Sequence, residues 1–390
     1  MWPIRSTRTS AISSLSPRTV RSVTSLCATG LHALTTRIQE ELGSGNITAA
    51  QLALGLEGRV VHFESFGGAT NDDRFIIFSA TKALVAMALL PHFADGTLEL
   101  TRPVADYLPE FGHHDKDTVT VLQLLTMQGG FPQAPIGPDR WGTSAGRRAQ
   151  FAEWSLDYPA GSKTEYHPVS AHWVVAELLE TLNQRSYLDV VYERVMQPAG
   201  VGRILGPDAV GAVTVRTTGV YPTDMADLVA TYGREEYVPV AAIGIELLLS
   251  LNDHRAQAVG IPGGGAVASA ANVAAIYQHF LHNFGGALPD KWLVDAVGTI
   301  RNGSISATDK VPANRTIAGY VSGSDGFHLH RWMPAAPRAF GHAGAGGQLC
   351  WVDPASGLSF AFLHDTLHQD PSVEFHRAAD LNHLALALLK

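Results

Sequence analysis

Phe78-Ser79-Ala80-Thr81-Lys82 sets a hydroxyl and an amine three residues apart at the head of an apolar run, Ala80 to Ala94, rich in Ala, Leu, Val and Met. Residues three apart share a helix face, so Ser79 and Lys82 are expected to meet. A serine hydroxyl is a weak nucleophile near neutral pH, and a neighbouring amine kept neutral by burial can take its proton. The first turn of a helix adds free N–H groups and a positive dipole end for a developing oxyanion. This S-x-x-K spacing also fits an exposed Ser and Lys on an ordinary helix, so the rest of the chain has to decide. Asp95-Gly96 supplies the helix stop, and Pro91 inside the run predicts a kink near Met87.

Composition narrows the classes. The 390 residues are 46% hydrophobic and 16% charged, enough for one large core or two intertwined ones. A net charge of -8 without a basic stripe argues against nucleic acid as a partner. Only six lysines occur, which makes Lys82 inside an apolar run stand out. Cys27 and Cys350 are too few for a disulfide framework, and a reducing, cytoplasmic setting is the expectation. Arg5, Arg8, Arg18, Arg21 and Arg37 precede the first acidic residue, Glu40, a composition resembling an organelle-targeting segment. Lacking a clear amphipathic period, residues 1–30 read more simply as a disordered basic tail or an over-long start. Neither an h-region nor a run of 18 apolar residues is present, so no Sec signal and no membrane span are expected. Nothing in the chain specifies an oligomeric state.

Along the chain, Leu31 to Leu42 reads as an amphipathic helix, and Gln51 to Leu56 with Arg59 to Phe66 as a hairpin turning at Glu57-Gly58. Residues 97 to about 260 look helical and loop-rich with few strand patterns. The predicted helices are Val119–Thr126, Ala171–Leu182, Tyr187–Met196, Thr223–Tyr232 and a stretch ending at Leu251. A helix over Ala271–His282 follows. Phe340-Gly341, Gln348 to Val352 and Leu358 to His364 read as strands, the last two joined by the turn 353–357, and Ser372 to Leu389 as a closing helix. The fold class is therefore α+β: an antiparallel sheet built by both ends of the chain and flanked by helices, with a mainly helical insertion. The boundaries expected are 31–96 with 261–390 for the sheet domain and 97–260 for the helical one.

Three further stretches carry chemistry. In Thr164-Glu165-Tyr166-His167-Pro168, a tyrosine near the Ser-Lys pair can be the general base, its phenolate stabilised by an ammonium; alone, Tyr166 reads as a packing aromatic. In Gly341-His342-Ala343-Gly344-Ala345-Gly346-Gly347, small residues let a substrate approach the backbone, and the Ala345 N–H can be an oxyanion donor beside that of Ser79. The same stretch read alone is a glycine-rich bend. Ile261-Pro262-Gly263-Gly264-Gly265-Ala266-Val267 is a flexible lead-in with no following Lys-Ser or Lys-Thr, which argues against nucleotide binding. Gly142-Thr143-Ser144-Ala145-Gly146 matches a G-x-S-x-G nucleophile elbow, but no strand feeds it. His113-His114-Asp115 and His364-x-x-x-His368 lack the H-E-x-x-H pattern, so neither a metal nor another cofactor is expected.

With these residues together, residues 31 to 390 resemble the serine β-lactamase and penicillin-binding superfamily, and within it the class C-related family VIII carboxylesterases. The blocks that carry the resemblance are Ser79-x-x-Lys82, Asp95-Gly96-Thr97-Leu98-Glu99-Leu100, Tyr107-Leu108-Pro109-Glu110-Phe111, Leu124 to Gly130, Gly263-Gly264-Gly265, His342-Ala343-Gly344 and Trp351-Val352-Asp353-Pro354. The resemblance implies a β-lactamase/transpeptidase-like fold. It also implies Ser79 as nucleophile, Lys82 and Tyr166 as the acid/base pair, and the N–H groups of Ser79 and Ala345 as the oxyanion hole.

Two departures point to the substrate. Where β-lactamases of this group carry Tyr-x-Asn, this chain has Tyr166-His167-Pro168, and where they carry Lys-Thr-Gly it has His342-Ala343-Gly344. A fixed cation and a hydroxyl suited to a substrate carboxylate are both lost. The expectation is a serine carboxylesterase for short- to medium-chain esters, working through an acyl-serine, with a small-molecule ester as its partner. His342, Gly344 and Trp332 are candidate substrate contacts, with Trp141 a further pocket candidate; His342 can orient Tyr166 or the leaving group. A D-aminopeptidase, weak β-lactamase or acyltransferase would use the same nucleophile. Pro168 keeps open a third class, a non-catalytic scaffold or binding protein.

Overall fold

Glu57 and Gly58 both adopt left-handed backbone, φ 51° and 79°, the turn whose twist matches a tight hairpin. They join strand β1 (Ala49–Leu56) to β2 (Arg59–Gly67) in the register Leu56 opposite Arg59. The computed structural model describes residues 26–389 apart from 223, 236–237, 239–241 and 325–335. Further strands are β3 (Phe75–Ile76), β4 (Arg216–Thr218), β5 (Val267–Ala268), β6 (Tyr320–Val321), β7 (Phe340–Gly341), β8 (Leu349–Val352), β9 (Ser359–His364) and β10 (Thr366–His368). Six of them form one antiparallel sheet in the order β2-β1-β9-β8-β7-β6. Its centre is the pairing of β1 with β9, where Leu52 faces Phe362 and Ala53 faces Ala361. The two ends of the chain therefore build the sheet together, as the terminal strand patterns predict.

Every residue of β1 and β9 is buried, because helices cover both faces. Ala50, Leu52, Leu54, Phe360 and Phe362 point to one side, into a cluster with Leu34 and Ile38 of the Ala28–Gly43 helix and Leu381 and Ala385 of the Pro371–Ala387 helix. Ala53, Ala361 and Leu363 point to the other, onto the Ala270–Leu281 helix. This period-2 division fixes the register, since a one-residue slip would exchange the two faces. The second cluster continues through Ala83 to Leu90 into Trp173, Val174 and Leu178 of the Ser170–Asn183 helix. The helical region and the sheet thus share one core.

Three sequence expectations shift. The first helix starts at Ala28, three residues earlier than expected and inside the segment assigned to the tail. The apolar run after Ser79 is two helices, Thr81–Met87 and Leu90–Asp95, with Pro91 in the first turn of the second. There the missing proline N–H has no intrahelical partner to lose, so the break falls just past Met87 and Gly96 (φ 79°) closes the second helix. The region 97–260 contributes β4, which pairs in parallel with β10. Its three residues are too short to show an alternation in the sequence. Around Ser79, β3 pairs with β5, so Ile76 sits opposite Val267 and the Ser79 turn is held against the segment 261–267.

Candidate active site

Ser79 lies in a 3-10 turn, Phe78–Ala80, that runs into the Thr81–Met87 helix. Phe78, just before it, has φ 46°, an uncommon conformation for a bulky residue that the paired β3 and β5 hold in place. Lys82 is 1% exposed, and its Nζ lies 3.2 Å from Ser79 Oγ, 2.7 Å from the Pro168 carbonyl oxygen and 2.5 Å from that of Gly263. Burial, with the nearby Arg315 guanidinium as the second cause, holds the Lys82 amine well below the ordinary lysine range. A neutral amine has two N–H groups and one lone pair. In that neutral form the two carbonyls would take the N–H groups and leave the lone pair to the Ser79 hydroxyl.

Tyr166 comes to the same oxygen from a loop, its Oη donating to Ser79 Oγ at 2.8 Å. That loop is tied to residues 302–309: the Ala307 N–H donates to the Thr164 carbonyl, and Asn302 Nδ2 donates to Thr164 Oγ1 and the Thr126 carbonyl. Burial, only partly offset by the Ser79 hydrogen bond, pushes the Tyr166 phenol up to about 12. Burial thus acts in opposite senses on the two groups, lowering the Lys82 amine and raising the Tyr166 phenol, directions that favour amine plus phenol over ammonium plus phenolate. Pro168 meets Lys82 through its backbone, the carbonyl oxygen lying 2.7 Å from Nζ. His167 donates from Nδ1 to the Glu165 carbonyl and accepts the Phe131 N–H at Nε2, 3.1 Å away. Burial lowers its imidazole to about 4, so it is a neutral strut of the loop.

On the opposite side runs the stretch after β7. A Cβ at Gly344 would lie 2.3 Å from the Ile77 carbonyl oxygen, so only glycine lets this stretch close on the Ser79 turn. Neither the Ser79 nor the Ala345 backbone N–H has a hydrogen-bond acceptor among the described residues. The His342 ring centroid lies 6.0 Å from that of Tyr166, with no hydrogen bond between the two side chains. Its Nδ1 donates to the Ala343 carbonyl at 2.8 Å, leaving Nε2 to accept from Arg315 Nη1 at 3.2 Å. Burial and Arg315 hold this imidazole well below the ordinary range.

The sequence does not single out Arg315 or the carbonyls of Gly263 and Pro168. An arginine between Asn314 and Thr316 in an otherwise apolar stretch was the available signal for the first; a carbonyl has none, since every residue carries one. Trp332 lies outside the described residues. Trp141 stacks on the buried Trp173 and donates from Nε1 to the Ile136 carbonyl. The G-x-S-x-G serine is no elbow: Thr143 caps the Ser144–Glu153 helix, and Ser144 Oγ donates to Glu177 Oε2 at 2.7 Å. Among the described residues, no group of His, Cys, Asp and Glu side chains is arranged to hold a metal ion. Nor is any helix there long and apolar enough to cross a membrane.

A family model described as Beta-lactamase matches residues 34–385 of this sequence. The chain belongs to the beta-lactamase family. As a beta-lactamase-family enzyme it is 25% identical over 336 residues to the esterase/beta-lactamase LipL of Mycobacterium tuberculosis (strain ATCC 25618 / H37Rv), across 76% of this chain and 70% of that protein. Its fold is similar to that of a family VIII carboxylesterase, with TM-score 0.73 at 20% identity over 93% of this chain and 98% of the other. It is also similar to D-amino acid amidase from Ochrobactrum anthropi SV3, with TM-score 0.67 at 15% identity over 92% and 99%. At these identities the solved structures speak for the beta-lactamase/transpeptidase-like fold alone.

Proposed function

We propose that this chain is a serine esterase that cleaves short- to medium-chain carboxylic esters through an acyl-serine intermediate. The observation that carries the reading is the convergence on Ser79 Oγ of the buried Lys82 amine and the phenol of the half-buried Tyr166, 3.2 and 2.8 Å away, with the Ser79 and Ala345 N–H groups lacking acceptors among the described residues. Ser79 Oγ bonds to the ester carbonyl carbon as its proton passes to Lys82 Nζ, and the oxyanion takes the N–H groups of Ser79 and Ala345. Collapse of the adduct breaks the bond to the alcohol oxygen, which takes the Tyr166 proton. Lys82 then returns its proton to the phenolate. Water attacks the acyl carbon over the same relay and frees the acid.

The choice of ester rests on what the reacting face lacks. At the position where the resembled β-lactamases carry a strand lysine, His342 is neutral, and Ala343 has no hydroxyl. Pro168 has no side-chain amide for an acylamino group. A neutral ester asks for none of these, and the similarity to LipL, an esterase/beta-lactamase, is in keeping with an ester substrate.

A panel of 4-nitrophenyl esters of increasing acyl length, run beside a cephalosporin and a D-amino acid amide, tests the proposal. Turnover greatest on the short and medium esters is expected, with covalent labelling by a fluorophosphonate that is lost in Ser79→Ala. Faster turnover of the cephalosporin or the amide would replace the substrate class. Folded protein that neither labels nor turns over any of them would favour a scaffold.

A further inference from the structure

Arg315 is 4% exposed, yet among the described residues its guanidinium pairs with no carboxylate. A buried cation without a counter-ion is expensive, so its surroundings show what it is for. The guanidinium sits 5.3 Å from the ring centroid of Tyr166 and 5.1 Å from that of Tyr320, and Nη1 donates to His342 Nε2. Tyr320 Oη accepts the Ala343 N–H at 2.6 Å, on the stretch that carries Ala345. Arg315, Lys82, His172 and His342 line one cavity. Each of these contacts is with a group that touches Ser79 or positions the strand beside it.

We infer that Arg315 is a positioning residue of the acyl-transfer site: it fixes the Tyr166 ring and the His342 tautomer, and it supplies from a neighbouring loop the positive charge that the β7 strand lacks. The inference rests on the acyl-serine reading above. The charge acts on the proton relay without touching the substrate. When Tyr166 gives its proton to the leaving alcohol, the phenolate that forms lies under a guanidinium already in place, so no reorganisation is needed. The same charge opposes an ammonium at Lys82 and so keeps its lone pair available.

The groups that share this environment are Lys82 on its helix, Tyr166 and His167 on the loop, His172 on the Ser170–Asn183 helix, Tyr320 on β6, His342 after β7, and Asp309, which acts on Tyr166 and Tyr320 from the 302–309 loop. Arg315 lowers the pKa of Lys82, Tyr166 and His342. Removing it therefore raises all three, and the acid limb of kcat/KM, which reports the neutral amine, moves to higher pH.

The test is kcat/KM on 4-nitrophenyl butyrate from pH about 5 to about 10 for Arg315→Gln, Arg315→Lys, His342→Lys and the double variant Arg315→Gln/His342→Lys. Arg315→Gln is expected to lose about tenfold or more at neutral pH, with its acid limb displaced upward. Arg315→Lys keeps the limb near its wild-type position. His342→Lys lowers activity beside Arg315, where it adds a second cation, and raises it in the Arg315→Gln background, where it restores one. A folded Arg315→Gln with wild-type rate and limb overturns the inference, as does a His342→Lys effect of the same sign in both backgrounds. Should Arg315→Gln fail to fold by circular dichroism, an acid limb displaced in Arg315→Lys would overturn it equally. Fluorophosphonate labelling of Ser79 is followed in every variant. Full activity in Ser79→Ala would sink the acyl-serine reading itself, a failure distinct from any among the Arg315 variants.

Discussion

Ser79 and Ser144 both stand in short motifs that can mark a nucleophile, and both have a basic side chain three residues on, Lys82 and Arg147. Their surroundings separate them. Ser79 meets an amine and a phenol, groups that can exchange its proton, and its own backbone N–H has no acceptor among the described residues. Ser144 meets an ion network: its hydroxyl donates to Glu177 Oε2, which also receives Arg148 Nε at 3.0 Å, while Oε1 holds Arg147 Nε at 2.5 Å. Arg147 continues to Glu180 and Arg148 to Glu110. Both carboxylate oxygens of Glu177 are already engaged by guanidinium groups, so it holds the Ser144 hydroxyl as one member of an ion network. A hydroxyl becomes a nucleophile through the proton acceptors around it, and the same hydroxyl among paired charges is a structural link.

Four measurements press on that contrast. Ser79→Ala should lose on the order of a thousandfold or more in ester hydrolysis while its thermal midpoint stays near wild type; full activity there would hand the role to another serine. Tyr166→Phe should cost about a hundredfold in kcat with a small change in KM, since it removes a proton donor and leaves the ring packing. Glu177→Gln should act in the opposite sense, lowering unfolding free energy by about 3 kcal/mol through two guanidinium groups left short of a partner, with turnover of the folded fraction kept. A loss of turnover without a loss of stability would move catalysis toward Ser144. The smallest effect is expected from Ser144→Ala: less than about twofold in kcat/KM and about 1 kcal/mol or less in stability.

The pH profile sharpens the same comparison. Only the protonated amine is inactive, so activity is lost as pH falls through the lowered Lys82 value and returns as pH rises past it. The descending side waits for Tyr166, held up near about 12, so a broad alkaline plateau should follow a single rise. A fall in rate near neutral pH would mean that a group other than Tyr166 donates to the leaving alcohol.

Much of the fold was legible because its signals are local. The Glu57-Gly58 turn, the stop at Gly96, the turn 353–357 and the alternating ends of the chain each depend on a few neighbouring residues, and the structure places hairpin, helix stop and sheet accordingly. The break that Pro91 imposes near Met87 was legible in kind and in place, but not that the run would divide into two helices, since proline is accepted in a first helical turn as well as rejected from an interior one. β4 left no trace, as a three-residue strand draws its identity from its partner β10.

The Ser79-x-x-Lys82 pair belongs to what the sequence by itself determined: its spacing puts amine and hydroxyl within reach on one turn whatever the rest of the chain does. The acid/base state of that pair was decided by tertiary structure alone. Burial lowers the amine and raises the phenol, and the two carbonyls that occupy the N–H groups of Lys82 come from positions 86 and 181 residues away in the chain. The cation beside His342 likewise arrives from another segment, 27 residues upstream. Spacing along a helix is a local property, whereas desolvation and charge depend on what closes over the site, and only the folded chain brings those groups together.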